Sequence, residues 1–299
     1  MKQFLRASMN RWRPQRVALF AALVMLVLAA PLAGADDVIR KAMQDELARS
    51  MQQLRLNDLD RPYFIAYTVQ DGTTTAASAT FGSLTASEDT HMRLLTVEVR
   101  VGDYSLDNSN FFSIPSGAAG VTRLFGGTLG IPLDDDYQEL RRQIWLATDS
   151  AYKRALEDIA RKRAAMRNKT SSEQLADFSK EMPSTISDDA SPVAVTLAEA
   201  ERTVKELSAV FKTVPASFIS SVRMRASSVR TFYLNSEGTA FTRLTPSVSL
   251  VAVAGTQARD GMPLQDFIAA YGRSRNDLPS PAEFTARLRE LGEHLQRLR

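Results

Sequence analysis

Residues 95–101, Leu-Thr-Val-Glu-Val-Arg-Val, alternate apolar and polar side chains without a break. Successive side chains of a β-strand point to opposite faces of the sheet, so this stretch predicts a strand with one buried and one solvated side. Antiparallel sheets tolerate a solvated face, whereas parallel sheets are usually covered on both. The stretch therefore predicts an antiparallel sheet that is covered on one side only.

Other strand-like stretches come in two runs, one before residue 101 and one after residue 220. In the first run, residues 63–70 are aromatic and β-branched, Asp71-Gly72 is a hairpin-turn signal, and residues 73–87 are extended and rich in Thr, Ala and Ser. The second run predicts strands over 221–226, 229–234, 239–244 and 247–257, with a tight turn at residues 235–238. Strands in runs predict an α+β fold, in which antiparallel β-meanders pack against amphipathic helices.

Helical periodicity and capping signals place the helices around these runs. Asp134, Asp135 and Asp136 precede the longest helix and lack the spacing of a calcium loop, which favours helix capping over metal binding. Ser280 with Glu283 forms a capping box for the last helix. The predicted helices cover residues 37–56, 134–166, 196–211, 263–271 and 281 onward.

The first 35 residues have the three-part layout of a secretory signal peptide. Five positive charges precede an uninterrupted apolar run at residues 17–30. Ala33 and Ala35 supply small residues at positions −3 and −1, so we predict cleavage before Asp36. The run is shorter than the roughly 20 residues that span a bilayer. We expect export to the periplasm or the medium, with no membrane attachment after cleavage.

Charge and cysteine content exclude several classes of function. The formal charge of the chain is +3, but the predicted signal peptide holds five of the 37 Lys and Arg, leaving 32 against 34 Asp and Glu. A protein that neutralises phosphates needs a basic face, so nucleic acid is not an expected partner. The chain has no cysteine, which excludes a disulfide scaffold and a thiolate zinc site.

The remaining chain divides by composition into two α+β halves, residues 36–167 and 196–299. Residues 168–195 are polar, rich in Ser, Asp and Pro, and predict a flexible linker. Residues 107–133 hold five of the 14 glycines and predict a long surface loop. Its apolar side chains are the candidate peptide-facing residues: Phe111, Phe112, Leu124 and Phe125.

The last helix carries an apolar seam that two arrangements could bury. Its members recur at spacings of four and three, as in a coiled-coil seam: Phe284, Leu288, Leu291, Leu295 and Leu298. The seam either packs on the strands of its own chain at 221–258 or docks a second subunit, in a homodimer or a hetero-complex. The sequence leaves both arrangements open.

No residue pattern predicts a catalytic or metal site. His91 and His294 lie far apart in the sequence, without a paired-histidine motif. Ser150 and Lys153 match Ser-x-x-Lys, but the later motifs of penicillin-recognising enzymes are missing. We therefore predict no catalytic residue, no metal, no cofactor and no acylation by a β-lactam.

A resemblance to a known family rests on six segments of the chain: residues 45–51, 61–65, 99–104, 133–137, 145–149 and 235–238. Together they resemble the N-terminal domain of exported members of the TldD/PmbA family. That family comprises zinc metallopeptidases and metal-free partner proteins, and its members are often labelled "putative modulator of DNA gyrase". The resemblance spans the chain after residue 35.

The resemblance implies an α+β fold and a link to peptidases, but it carries no catalytic residue onto this chain. Active members use a His-Glu-x-x-x-His helix and a later cysteine, and this sequence contains neither. We expect a non-catalytic subunit that binds peptides or unfolded polypeptide, or a TldD/PmbA-like partner, or else the N-terminal piece of a split or truncated peptidase. The alternative is an independent periplasmic ligand-binding module without a peptidase link, with residues 107–133 as its mouth.

Overall fold

Four long strands form the centre of the computed structural model, which describes residues 35–111, 128–167, 175–187, 190–214 and 218–299. Two short 3₁₀ turns cover Val210–Thr213 and Arg275–Asp277. Within the described ranges, no helix is both long and apolar enough to cross a bilayer. The elements in chain order are α1 (Ala35–Gln53), β1 (Pro62–Thr80), β2 (Ser83–Val101), β3 (Leu129–Gly130), α2 (Tyr137–Met166), β4 (Thr185–Ser187), α3 (Leu197–Ala209), β5 (Ile219–Asn235), β6 (Ala240–Gln257), β7 (Pro263–Gly272) and α4 (Pro281–Leu298).

The seven strands of the described residues belong to one sheet, in the order β3-β2-β1-β5-β6-β4, with β7 also paired to β6. Every pairing is antiparallel except that of β4 with β6. The predicted α+β class with antiparallel strands is therefore confirmed. Because β1 of the first predicted half pairs with β5 of the second, the two halves contribute to the same sheet.

The predicted turn at Asp71-Gly72 is wrong. Strand β1 runs straight through these residues, and the hairpin lies at Phe81-Gly82. Asp71 pairs with Arg93 on β2 and with Arg230 on β5. A central strand has ladder partners on both sides, and this tertiary pairing outweighs the local turn propensity of the Asp-Gly dipeptide.

The second run forms two strands in the structure, not the four that the sequence predicts. Residues 221–226 and 229–234 lie in the single strand β5, and 239–244 and 247–257 lie in β6. The turn between them is where it was predicted. The Asn235 Oδ1 accepts backbone N–H bonds from Glu237 and Thr239, both at 3.0 Å.

The helix predicted over residues 263–271 is also wrong, because this segment is strand β7. Its apolar residues fit helical spacing, but the segment follows a tight turn and pairs with β6 from Gln257 to Val248. The helix-end predictions are confirmed. Asp136 caps α2 by accepting from the Glu139 N–H at 2.9 Å, and Ser280 with Glu283 forms the capping box of α4.

Side chains on one face of the sheet form two separate apolar cores beneath the helices. The α1/α2 core includes the fully buried Ile39, Met43, Tyr67, Leu95, Leu140, Ile144 and Phe232. The α3/α4 core includes Met224, Leu250, Val204, Leu207, Phe211, Phe284 and Leu288. Residues of β1 and β5 contribute to both cores, so the same two strands run beneath both pairs of helices.

A charged belt crosses the helix-covered face between the two cores. Arg93, only 3% exposed, donates to Asp71 at 2.7 Å and to Asp135 at 2.9 Å. Beside them, Arg230 pairs with Asp36 at the start of α1. A buried charge needs a partner of opposite charge, because the free energy lost when the charge leaves water is otherwise not offset.

Candidate peptide-binding groove

A groove runs along α1 at the end of the sheet where β5 turns into β6. It consists of two adjoining cavities of about 200 and 440 Å³. The cavities share Gln44, Leu234 and Ala240, so they form one continuous depression. An elongated, open site of this kind suits a chain segment better than a compact small molecule, which is usually enclosed.

The groove has an apolar floor and a polar rim. The floor comes from the inward face of α1 and from β5 and β6: Met43, Leu47, Met51, Phe232, Leu234 and Ala240. The rim is polar: Arg40, Gln44, Gln52, Asn235, Ser236, Thr239 and Thr242. Methionine side chains are unbranched and adaptable, and surfaces that accept varied partners use them often. The lining therefore fits apolar side chains of an extended polypeptide without demanding one sequence.

Strand β4 forms the wall of the groove opposite α1. Thr185, Ile186 and Ser187 pair in parallel with residues 240–242 of β6. All three are exposed, and Ile186 is 58% exposed. The edge of β6 thus already accepts an extended backbone at this position.

The segment before β4 is anchored to the first half of the chain. The Asp177 carboxylate accepts hydrogen bonds from the Lys162 ammonium and, at 2.9 Å, from the Asp107 N–H. The Arg100 guanidinium lies 3.8 Å from the centroid of the Phe178 ring. Residues 168–174, 188 and 189 of the predicted flexible linker lie outside the described residues, but residues 175–187 make specific contacts.

A buried carboxylate organises the loop to which this segment is anchored. Asp107 accepts from the Tyr63 hydroxyl at 2.6 Å, from Arg100 at 2.9 Å and from the Ser109 hydroxyl at 2.6 Å. Burial works to raise the pKa of Asp107, but the hydrogen bonds from Ser109, Tyr63 and Arg100 outweigh it and hold the pKa below its ordinary value. Burial and the Asp107 carboxylate raise the pKa of Tyr63.

The turn that closes β2 requires a glycine. Gly102 has a φ of +103°, and a Cβ atom there would lie 2.3 Å from the Leu106 carbonyl oxygen. The chain then folds back, and the Tyr104 hydroxyl donates to Glu237 in the β5–β6 turn. This contact brings the loop after β2 to the end of the groove.

The structure describes only part of the predicted peptide-facing loop. Phe111 is half-buried at the edge of the described residues, and Phe112, Leu124 and Phe125 lie outside them. Of the predicted cleavage site, Ala35 is the first residue of α1 and Asp36 lies in its first turn, whereas Ala33 is outside the described residues. Neither prediction is tested by these positions.

The apolar seam of α4 packs inside the chain. Four of its members are buried in the α3/α4 core: Phe284, Leu288, Leu291 and Leu295. Leu298 is 52% exposed. In this structure the seam packs against the sheet of its own chain, which is one of the two arrangements that the sequence left open. Of the five seam residues, Leu298 alone is exposed.

The histidines and the Ser-x-x-Lys pair have separate local partners. His91 lies beside Asp71, and His294 lies 3.2 Å from Asp266. Ser150 accepts from Arg154 and Lys153 pairs with Asp149, so neither contact joins Ser150 to Lys153. In the part of the chain that the structure describes, no three potential metal ligands come together.

The fold is similar to that of solved structures that share little sequence identity with this chain. TldE from Thermococcus kodakarensis superimposes with a TM-score of 0.52 at 10% identity, over 85% of this chain and 47% of that one. A "putative modulator of DNA gyrase" from Bacteroides thetaiotaomicron gives a TM-score of 0.51 at 10% identity, over 84% and 48% of the two chains. No family model and no curated protein sequence matches the chain.

At this identity the likeness shows the fold alone. The expected resemblance to TldD/PmbA proteins is confirmed at that level, and the chain spans about half the length of the structures it matches. Sequence reasoning missed the groove, because its lining combines a helix stripe predicted to be core with strand residues far away in the chain. The only local signal was the excess of methionine on α1, where Met43 and Met51 share the inward face.

Proposed function

We propose that this chain is an exported, non-catalytic TldD/PmbA-like protein that binds extended polypeptide in the groove along α1, on its own or as a partner subunit of a metallopeptidase. The observation that carries the proposal is strand β4, an extended segment paired to the β6 edge beside an apolar groove. The TldE-like fold supports the link to peptidases, and the absence of cysteine and of a paired-histidine motif supports the non-catalytic role.

Binding in the groove is tested by filling it. Gln44 is exposed and lines both cavities, so Gln44→Trp obstructs the groove without disturbing the core. We expect this variant to bind fluorescein-labelled, reduced and carboxymethylated casein at least about tenfold more weakly than the wild type, as for a blocked hot spot. Gln53→Trp is the matched control, because Gln53 lies on the same helix but outside both linings. Equal affinity of wild type and Gln44→Trp would exclude the groove as the binding site.

The non-catalytic role is tested on the same preparations. After dialysis against a weak chelator, we expect less than stoichiometric zinc by elemental analysis and no cleavage of the casein. One tightly held zinc per chain with chelator-sensitive proteolysis would contradict the proposal. If a mixture of this chain with a TldD-type protein cleaves casein faster than the TldD-type protein does alone, the result would favour a role as partner subunit.

Export is tested by N-terminal sequencing of the protein from the cell that makes it. We expect the mature chain to begin at Asp36 and to appear in the periplasm or the medium. A chain that begins at Met1 and sediments with the inner membrane would show that the apolar run is an uncleaved anchor.

A further inference from the structure

The face of the sheet opposite the helices carries a shallow channel across β5, β6 and β7. Register and strand alternation place Arg225 level with Tyr271, and Ser221 level with Phe267, with β6 between them. Adjacent strands lie about 4.8 Å apart, so β5 and β7 flank a trough roughly 10 Å wide. We name this feature the Arg/aromatic channel: Arg223 and Arg225 form one wall, Phe267 and Tyr271 the other, and Val251 and Val253 the floor.

The arginine wall has no charge partner among the described residues. Arg223 and Arg225 are both exposed, and no ion pair or hydrogen bond involves either side chain there. The register puts Glu88 two strands from Arg225, across Ala76. By contrast, Arg93, Arg100 and Arg141 each meet a carboxylate. Two adjacent unpaired guanidinium groups raise the local potential and favour an anionic partner.

The opposite wall offers apolar surface that the fold leaves in water. Phe267 is 64% exposed and Tyr271 is 72% exposed, although both lie on a strand whose other face packs against α4. Val251 and Val253 between the walls are half-buried. Exposed aromatic side chains beside arginines are typical of the anchor residues of interfaces.

We infer that the Arg/aromatic channel binds an extended, acidic polypeptide segment in which acidic and apolar residues alternate. In an extended chain that lies parallel to β6, successive side chains point to opposite sides. One set of side chains then meets the arginine wall and the other meets Phe267 and Tyr271. This site is distinct from the groove along α1, since the two lie at opposite ends of β6.

A polypeptide fits this channel better than nucleic acid does. Proteins that hold a nucleic-acid backbone neutralise several phosphates at once, whereas this channel has two arginines and an apolar floor. The channel is also small compared with the roughly 800 Å² per partner of a stable interface between folded proteins. A single extended segment, bound weakly, matches both its size and its chemistry.

The test compares two fluorescein-labelled octapeptides, Glu-Leu-Glu-Phe-Glu-Leu-Glu-Gly and its counterpart with lysine in place of glutamate. The full chain should bind the acidic peptide and not the basic one, with an affinity that falls as salt rises. The double variant Arg223→Glu/Arg225→Glu should lose the acidic peptide by at least about tenfold and gain the basic one. Tyr271→Ser should weaken binding with no change in charge preference.

The control is Arg202→Glu, because Arg202 is exposed on α3, on the other side of the sheet. Arg202→Glu changes the net charge by the same amount as one arginine-to-glutamate change in the channel, and it should leave binding of the acidic peptide unchanged. Equal binding of the two peptides, no binding up to about 1 mM, or the same loss in Arg202→Glu would overturn the inference.

Displacement of the acidic peptide by a single-stranded oligonucleotide or by anionic lipid vesicles, at equal or lower concentration, would also overturn it. Blocking the groove with Gln44→Trp should not alter this binding, which separates the two proposals.

Discussion

The two cores on the helix-covered face are built from different chemistry. The α3/α4 core is almost wholly apolar and ends at helices with clear caps. The α1/α2 core contains hydrogen-bonded polar groups: Glu46, 1% exposed, pairs with Arg49 and Arg141, and the Tyr67 hydroxyl accepts from Thr148 at 2.9 Å. The first core should therefore respond mainly to lost volume, and the second also to lost charge and to pH.

The largest expected effect comes from a cavity in the α3/α4 core. Phe284 has no exposed surface, so Phe284→Ala should lower the free energy of unfolding by about 3–5 kcal/mol. Leu298→Ala, on the exposed end of the same seam, should change it by less than about 0.5 kcal/mol. Urea unfolding measures the stability of each variant and sedimentation measures its assembly, so together they distinguish the two arrangements of the seam. Loss of a dimer without loss of stability would show that the seam docks a partner.

The same measurement tests the division into halves at residues 168–195. Ile144→Ala in the α1/α2 core should lower stability by about 2–5 kcal/mol. If the shared strands β1 and β5 make the sheet cooperative, each variant shifts one single transition. Two separate transitions, each sensitive to one of the variants, would instead mean that the halves unfold independently.

Removal of the central charge of the belt should have the next largest effect. Arg93→Ala removes the guanidinium that Asp71 and Asp135 share, leaving Asp71 with only His91 beside it, and should cost about 3 kcal/mol in the free energy of unfolding. The double variant Arg93→Ala/Asp71→Ala should recover part of that loss, because one of the two carboxylates that lost the guanidinium is gone. Additive losses in this double-mutant cycle would contradict the coupling of Arg93 to Asp71.

Alkaline pH should weaken the α1/α2 side of the molecule selectively. Burial raises the pKa of Tyr67 to about 12, so the stability it contributes is complete below pH 10 and is lost as the pH rises towards 12. A pKa raised from 10 to about 12 corresponds to at most roughly 3 kcal/mol of this loss. We expect Tyr67→Phe to flatten the fall in unfolding free energy above pH 10. An unchanged fall in Tyr67→Phe would contradict this prediction.

The smallest effect concerns the ends of the helices over the α3/α4 core. Ser280→Ala removes the side-chain acceptor of the α4 capping box and should cost about 1 kcal/mol. Thr196→Ala at α3 should cost no more than that, because the Glu199 carboxylate pairs with Arg275 instead. Thermal unfolding of both variants measures the difference. If Thr196→Ala costs more than Ser280→Ala, the second hydrogen bond of the α4 capping box, between the Glu283 side chain and the Ser280 backbone, contributes nothing to stability.

Features set by local chemistry were predictable from the sequence, and those set by distant neighbours were not. The alternation at residues 95–101, the caps at Asp136 and Ser280 and the turn after Asn235 depend on a few adjacent residues, and all were predicted. The continuity of β1 through Asp71-Gly72 depends on β2 and β5, and strand β7 depends on the edge of β6. The groove was missed for the same reason, since α1 and the β5–β6 turn meet only in the folded chain.

The central pairing of β1 with β5 also governs the order in which the chain can fold. Ala66 pairs with Asn235 and Ala79 with Val222, so between 142 and 168 residues separate the partners. Such distant contacts slow folding, because loop-closure entropy must be overcome before the pairing stabilises anything. A nascent chain that has not reached β5 lacks the centre of its sheet. The central sheet can therefore form only after the chain has been made through β5, which ends at Asn235.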